Sequence, residues 1–185
     1  MIGSFAILTA AFVAQGQPAP ACSYDRQAMM ALGQHDFDQD LQGGWRPLAD
    51  RAGCRLVAAD LIRDYRRAHR SEDRILFWHE GQLRALEGHT EAAISLFEHA
   101  RRSDSDVIGW NHYVDATIAF LRRDRSGVLA ARARLVALPR PENFVRVDSA
   151  GRPLVWPLNL RIIERFVSCL GRTYAKALGD SSCSD

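Results

Sequence analysis

The apolar residues recur at intervals of three and four from Tyr24 onward, and this spacing constrains the fold more than any other feature. It places them on one face of an α-helix, with charged residues on the other face. Short connections between such segments indicate that neighbouring helices are antiparallel. The chain is therefore predicted to be all-α. The segment RLVAADLIRDYRRAH, Arg55–His69, shows the pattern most plainly, with an apolar stripe of Leu56, Ala59, Leu61, Ile62 and Tyr65.

Start and stop signals divide the pattern into separate helices. Ser71, Thr90 and Ser126 are predicted to cap helices, and Asp106 is predicted to open one. A glycine at position 88 ends the helix before it. The predicted helices span about 55–69, 72–87, 91–102, 106–123 and 127–138.

The pattern changes at Pro139. The segment NFVRVDSAGRPLVW, Asn143–Trp156, alternates apolar and polar residues around Gly151. It is predicted to form either a small β-hairpin or an irregular packed loop, since a lone hairpin is only marginally stable. A final helix is predicted from about Leu158 to Leu178.

Composition excludes some partner classes. The net charge is +2, which gives no strong electrostatic attraction for nucleic acid or for an anionic membrane. Lys176 is the only lysine, so nearly all of the positive charge is carried by arginine. We therefore expect no nucleic-acid partner.

The first 14 residues, MIGSFAILTAAFVA, are apolar and uncharged. They are too few to span a bilayer, which takes about 20 residues. They fit the apolar region of a signal peptide, with cleavage after Gly16 or Ala21. A buried N-terminal helix is the alternative, and the front end lacks the usual basic residue. Residues 1–21 are thus predicted to be a signal peptide, which implies a periplasmic or secreted protein with no stable membrane insertion after cleavage.

Four cysteines follow this segment, and an even number in an exported chain indicates disulfides. Their spacing is not typical of a zinc site. Three pairings are possible. We favour Cys22–Cys54 and Cys169–Cys183, which would tether each chain end to the nearest helix. A lipidated Cys22 is the alternative for the first of them.

The segment Arg74–Ser105 carries a large, a small, a turn, a small, an aromatic and an alanine residue in order: Phe77, Gly81, Gly88, Ala93, Phe97 and Ala100. With residues of these kinds at these spacings, the segment resembles a tetratricopeptide repeat (TPR), a motif of two antiparallel helices. It departs from the motif at Arg84, where an aromatic residue is usual, and at Ser105, where a proline closes the repeat. A second, weaker copy begins at Trp110, with Asp124 in place of the turn glycine.

The resemblance covers roughly 45–141 and implies TPR-like repeats in a right-handed superhelix over residues 22–138. Residues 139–185 would add the hairpin or loop and a terminal capping helix, packed on the same domain. An unrelated helical bundle is the alternative fold. In such repeats the first helix of each pair lines a concave peptide-binding groove, which here implies groove positions at Trp78, Gln82, Asn111 and Arg122. A core position is the alternative for the tryptophan.

The stretch DFDQDLQGGW, Asp36–Trp45, resembles a calcium loop but fails its requirements. Position six must be glycine and position twelve a bidentate acid, yet these are Leu41 and Pro47. The aspartates are instead predicted to lie on a solvated helix face, with Phe37, Leu41 and Trp45 on the opposite apolar face. His112 and Asp115 share a predicted helix face, but no further metal ligand is evident. We expect no metal and no cofactor.

These observations favour an exported, non-catalytic module that binds a protein or peptide. The first rival is a periplasmic hydrolase, which a cleft joining His112, Asp115 and a further acid or histidine would favour. The second is a structural subunit of an envelope complex, which a large exposed apolar patch would favour. The choice depends on which side chains the fold exposes.

Overall fold

The structure, a computed structural model, describes residues 22–103, 106–147 and 151–183. Helices dominate, so the all-α prediction is confirmed. Two short non-α helices accompany the α-helices: a π-helix at His35–Gln39 and a 3₁₀ turn at Ser181–Cys183. The α-helices are α1 Arg26–Ala31, α2 Arg46–Ala49, α3 Arg55–His69, α4 Arg74–Leu86, α5 Thr90–His99, α6 Trp110–Leu121, α7 Arg125–Val136, α8 Leu160–Ser168 and α9 Tyr174–Gly179.

Each helix from α3 to α8 packs on its neighbours in chain order, and α9 folds back onto α4 and α8. Two apolar clusters result. One joins the N-terminal helices to α3, with Phe37 and Tyr65 stacked at a ring distance of 3.7 Å. The other runs from α4 to the C-terminus and includes Phe120 and Phe166, stacked at 4.6 Å. Helix α4 contributes to both clusters. Helix α8 packs on α6 and α7.

The caps differ from the prediction by about two residues. Asp73, not Ser71, caps α4 by accepting a hydrogen bond from the backbone N–H of Ile75 at 3.1 Å. Asp124, not Ser126, caps α7 through Gly127 at 3.0 Å. Asp73 and Asp124 directly precede the first residues of their helices, which is the position from which a side chain reaches the free N–H groups. Ser71 lies two residues before that position in α4, and Ser126 lies inside α7.

The C-terminal helix predicted from Leu158 to Leu178 is two helices, so this prediction is wrong. The break follows Cys169, and Gly171 has a φ of 89°, which a side chain would resist. Thr173 then opens α9 by accepting from the N–H of Lys176. A glycine followed by a threonine is the ordinary sequence signal for one helix ending and another beginning.

The predicted β-hairpin is not confirmed over the described residues 143–147 and 151–156. A single antiparallel bridge joins Val147 to Pro153, and the described part of the chain contains no extended strand. The tip of this segment, residues 148–150, lies outside the described residues.

Both favoured cysteine pairs are disulfides. Cys22 bonds to Cys54 and Cys169 to Cys183, each with a Cα–Cα distance of 5.4 Å. Two disulfides fit a periplasmic or extracellular location. The predicted signal peptide, residues 1–21, lies outside the described residues. Within the described ranges, none of the helices has both the length and the apolar character needed to cross a bilayer.

Helices α4 and α5 approach closely at Gly81, which lies against the fully buried ring of Phe97. A Cβ atom added to Gly81 would lie 2.7 Å from the nearest ring carbon. Ala93 and Ala100 are also fully buried. The small residues that carry the repeat resemblance therefore do allow this pair of helices to pack.

We expect Gly81→Ala to destabilise the protein by about 1 kcal/mol, because crowding Phe97 outweighs the helix propensity gained. Gly179→Ala is the matched control, since Gly179 is also helical but has no atom within 4 Å of an added Cβ. Urea unfolding of both variants measures the difference. Equal stabilities would show that Phe97 yields without cost.

Candidate functional site

The residues predicted to line a groove do not form one open surface. Trp78 is only 3% exposed, and its ring contacts those of Phe97 at 4.5 Å and Trp110 at 4.8 Å. The core alternative therefore describes this tryptophan. Its apolar ring is more stable between helices than in water, so the aromatic position on α4 is a packing position.

Gln82, one turn further along α4, is half-buried and faces the C-terminal helix. Its side chain lies near the hydroxyl of Tyr174 on α9, a buried group that has no hydrogen-bond partner of normal geometry among the described residues. Burial raises the pKa of Tyr174 above its ordinary value of 10, and the contact with Gln82 offsets only part of that rise. The α4 face predicted to meet a peptide is thus covered by the protein's own α9.

Asn111 is used within the protein. Its amide oxygen accepts from the N–H of Arg102 at 2.8 Å, and its Nδ2 donates to the carbonyl of Arg102 at 3.0 Å. These two hydrogen bonds to the backbone of Arg102 hold the turn before α6 in place. Arg122 is exposed at the C-terminal end of α6, beside a cavity of about 210 Å³ between α5, α6 and α7.

His112 and Asp115 share a surface, but arginines of the protein already contact both side chains. Arg134 donates to the Asp115 carboxylate at 2.9 Å and to Nδ1 of His112 at 3.5 Å. Arg101 donates to the other oxygen of the same carboxylate at 2.6 Å. Both carboxylate oxygens are therefore engaged within the protein.

The prediction for the aspartate stretch is wrong at two positions. Asp38 is fully buried, and Leu41 is 50% exposed. The reason is that residues 35–39 form a π-helix that ends at Asp40, so the four-residue spacing does not continue. Gly44 then turns the chain with a φ of 56°, and an added Cβ would lie 1.9 Å from the carbonyl oxygen of Phe37.

Sequence reasoning missed the buried Asp38 carboxylate as a polar centre. It accepts from the indole N–H of Trp45 at 2.9 Å and lies 2.7 Å from Nδ1 of His79. Burial raises the pKa of Asp38, but the hydrogen bond and charge of His79 outweigh it, so the pKa lies below its usual value of 3.8. Asp38 and His79 are 41 positions apart and lie on different helices, so no local sequence signal connects them.

This aspartate–histidine pair has the orientation that supports a general base, with Nδ1 on the carboxylate. Among the described residues, no group of three or more His, Cys, Asp or Glu side chains is placed to bind a metal. We therefore interpret Asp38 and His79 as a structural pair that joins the N-terminal segment to α4.

A second buried acid, Glu80, explains the departure of Arg84 from the repeat motif. Glu80 is 2% exposed and pairs with Arg84 at 2.8 Å and Arg66 at 2.5 Å. Burial lowers the pKa of Arg84, but Asp60 and Glu80 outweigh it, so the pKa is raised. The i, i+4 spacing of Glu80 and Arg84 is a signal that the sequence did contain.

A cavity of about 430 Å³ opens between the start of α4 and the turn before α6. This volume falls within the range of roughly 300–1,000 Å³ found for ligand sites. Trp110 is held in its wall, because its indole N–H donates to the carbonyl of Ala100 at 2.7 Å. The cavity, called the Trp110 pocket below, is lined by Glu72, Asp73, Arg74, Ile75, Arg102, Ile108 and Trp110.

The lining of the Trp110 pocket combines three large apolar side chains with two acids and two arginines. Asn111 holds the backbone of Arg102 beside it, so one residue of the predicted groove does shape this wall. The three apolar side chains, which are all half-buried, are called the floor of the pocket below, and the four charged side chains are called its rim. Such a lining can receive an apolar side chain of a partner, with charged groups of both signs beside it.

No family model, curated protein or solved structure matches this chain.

Proposed function

We propose that this chain is an exported, non-catalytic module that binds a polypeptide in the Trp110 pocket. The observation that carries the proposal is the pocket itself, with its apolar floor and its rim of both charges. Burying one aliphatic side chain of a partner would contribute about 1.5–3 kcal/mol. The rim would add orientation through hydrogen bonds to the partner's backbone and charged groups.

The scaffold we propose is TPR-like, with α4–α5 and α6–α7 as successive helix pairs in a right-handed superhelix. Close packing at Gly81 and the fully buried Ala93 support it. Helices α8 and α9 would act as the terminal cap, since Phe166 and Tyr174 cover Phe120. Export through residues 1–21 is supported by the two disulfides.

We expect Ile108→Asp to abolish peptide binding, because it places a charge on the apolar floor of the pocket. The matched control is Val107→Asp, since Val107 directly precedes Ile108, is 63% exposed and lies outside the pocket lining. Peptides are selected from a random display library on the mature wild-type protein. Their affinities for all three proteins are then measured by calorimetry.

Binding that Ile108→Asp weakens by about tenfold or more, and Val107→Asp leaves unchanged, would support the pocket. Selection of no peptide, or equal loss in both variants, would contradict it. Hydrolysis of the selected peptides by the wild-type protein would instead favour the hydrolase, whose residues His112 and Asp115 are paired with arginines here.

One observation favours the second rival, a subunit of an envelope complex. Several aliphatic side chains near the C-terminal loop are exposed, among them Val136 at 48% and Val145 at 87%. Exposed apolar surface of this kind is common at sites of association.

A further inference from the structure

The loop between α7 and α8 carries a firmly anchored extended segment, called the arm below and defined as residues 145–147 and 151–155. The rings of Phe144 and Trp156 meet edge to face at its base, with centroids 5.0 Å apart. The indole N–H of Trp156 also donates to the carbonyl of Leu138, at 3.4 Å. The base of the arm is therefore fixed to the end of α7.

The arm exposes aliphatic side chains instead of burying them. Val145 is 87% exposed, Val155 83% and Val147 55%. Val145 and Val147 are two residues apart, so in an extended chain they lie on one face with Arg146 on the other. Exposed β-branched residues in extended backbone suit a strand surface that another chain can cover.

Bonds between the described residues leave part of the backbone of the arm available. Leu154 donates to the carbonyl of Arg146 at 2.8 Å, beside the antiparallel bridge between Val147 and Pro153. Among the described residues, Val145 and Val155 make no backbone hydrogen bond. A two-stranded pair is marginal alone, and an extended edge with free N–H and C=O groups is a template for a further strand.

Charge indicates the kind of strand that fits. Residues 122–165 contain ten arginines and four acidic residues, a net charge of +6, whereas residues 22–121 have a net charge of −4. Arg146 is exposed in the middle of the arm. A partner strand with acidic residues opposite this arginine would gain cross-strand attraction, and a basic strand would be repelled.

We propose that the arm binds an extended acidic segment of a partner protein by β-strand addition. The partner strand alternates apolar residues, which cover the valines, with Asp or Glu residues, which meet Arg146. Main-chain hydrogen bonds supply affinity and the alternation supplies specificity. This surface is separate from the Trp110 pocket, so the proposal holds or fails independently of the function proposed above.

The test uses a fluorescein-labelled peptide of alternating Val and Glu, titrated with the mature protein and followed by anisotropy at low salt. We expect Arg146→Glu to weaken binding by roughly fivefold and to strengthen binding of a Val/Lys peptide. Arg67→Glu is the matched control, since it makes the same change of charge on the exposed end of α3 and should leave both affinities unchanged. N-methylation of alternate peptide nitrogens should abolish binding.

Several outcomes would overturn the proposal: no binding of the Val/Glu peptide to the wild-type protein, equal effects of the two arginine variants, or full binding of the N-methylated peptide. Arg146-dependent binding to phosphatidylglycerol vesicles without peptide binding would instead make the arm a lipid contact. Concentration-dependent dimerisation that Val145→Asp abolishes, again without peptide binding, would make the partner a second copy of this chain.

Discussion

Replacing Asp38 with alanine is expected to lower the free energy of unfolding by about 3–5 kcal/mol. The carboxylate is fully buried and accepts from the indole N–H of Trp45 at 2.9 Å. It also lies 2.7 Å from Nδ1 of His79, whose side chain is only 14% exposed. Removing it leaves two polar groups unpaired inside the protein, and such groups cost more than the bonds themselves contribute.

Urea unfolding of Asp38→Ala beside Asp36→Ala measures this effect. Asp36 lies two residues away but is exposed, so its loss should change stability by less than about 0.5 kcal/mol. A loss below about 1 kcal/mol for Asp38→Ala would be close to the effect of an ordinary surface substitution. It would show that the buried cluster does not stabilise the junction with α4.

The same carboxylate gives a pH dependence whose sign follows from its pKa. The pKa of Asp38 in the folded protein lies below 3.8, the value expected when unfolded. Its contribution is therefore complete above that unfolded value and is lost as pH falls through the lower folded value. The stability difference between wild type and Asp38→Asn should shrink as the pH falls from 3.8 through the lower folded value. A difference that persists unchanged in strong acid would contradict this assignment.

Removing the N-terminal disulfide by Cys22→Ala/Cys54→Ala is expected to cost about 3–4 kcal/mol in the chain-entropy model. The bond closes a loop with a sequence separation of 32 residues. Cys54 is fully buried at the start of α3, and Cys22 is the first described residue. Without the bond, the segment from Cys22 to α2 would be held to α3 only by its packing and hydrogen bonds.

Thermal unfolding of the double variant, with wild type in reducing and oxidising buffer, tests this prediction. Reduction of the wild type breaks both disulfides, so it should lower the unfolding temperature further than the double variant does in oxidising buffer. The Cys169–Cys183 pair, with a separation of 14 residues, provides the comparison, since its shorter loop should be worth about 3 kcal/mol. A larger loss on removing the C-terminal pair would show that packing of α9, and not loop closure, decides the effect.

The helices with regular periodicity were predictable because each depends on residues only three or four positions apart. Helix α3 was predicted at 55–69 and is observed at Arg55–His69. Both disulfides were predictable for a related reason, because each joins a chain end to a nearby helix terminus. Where local signals competed, as at Gly171, the prediction of one long helix was wrong.

The amino-acid sequence by itself determined the helical class, since this follows from local spacing. It favoured, without deciding, the observed cysteine pairs and the close packing of α4 on α5. Only the tertiary structure decided which polar and aromatic groups are exposed. Asp38 and His79 are 41 positions apart, so their contact has no local signature. Likewise Trp78 is buried because Trp110 and Tyr113 cover it. Gln82 is half-buried because α9 folds back onto α4. Burial is a property of the whole fold, and for this reason the candidate site moved from the predicted groove to the Trp110 pocket.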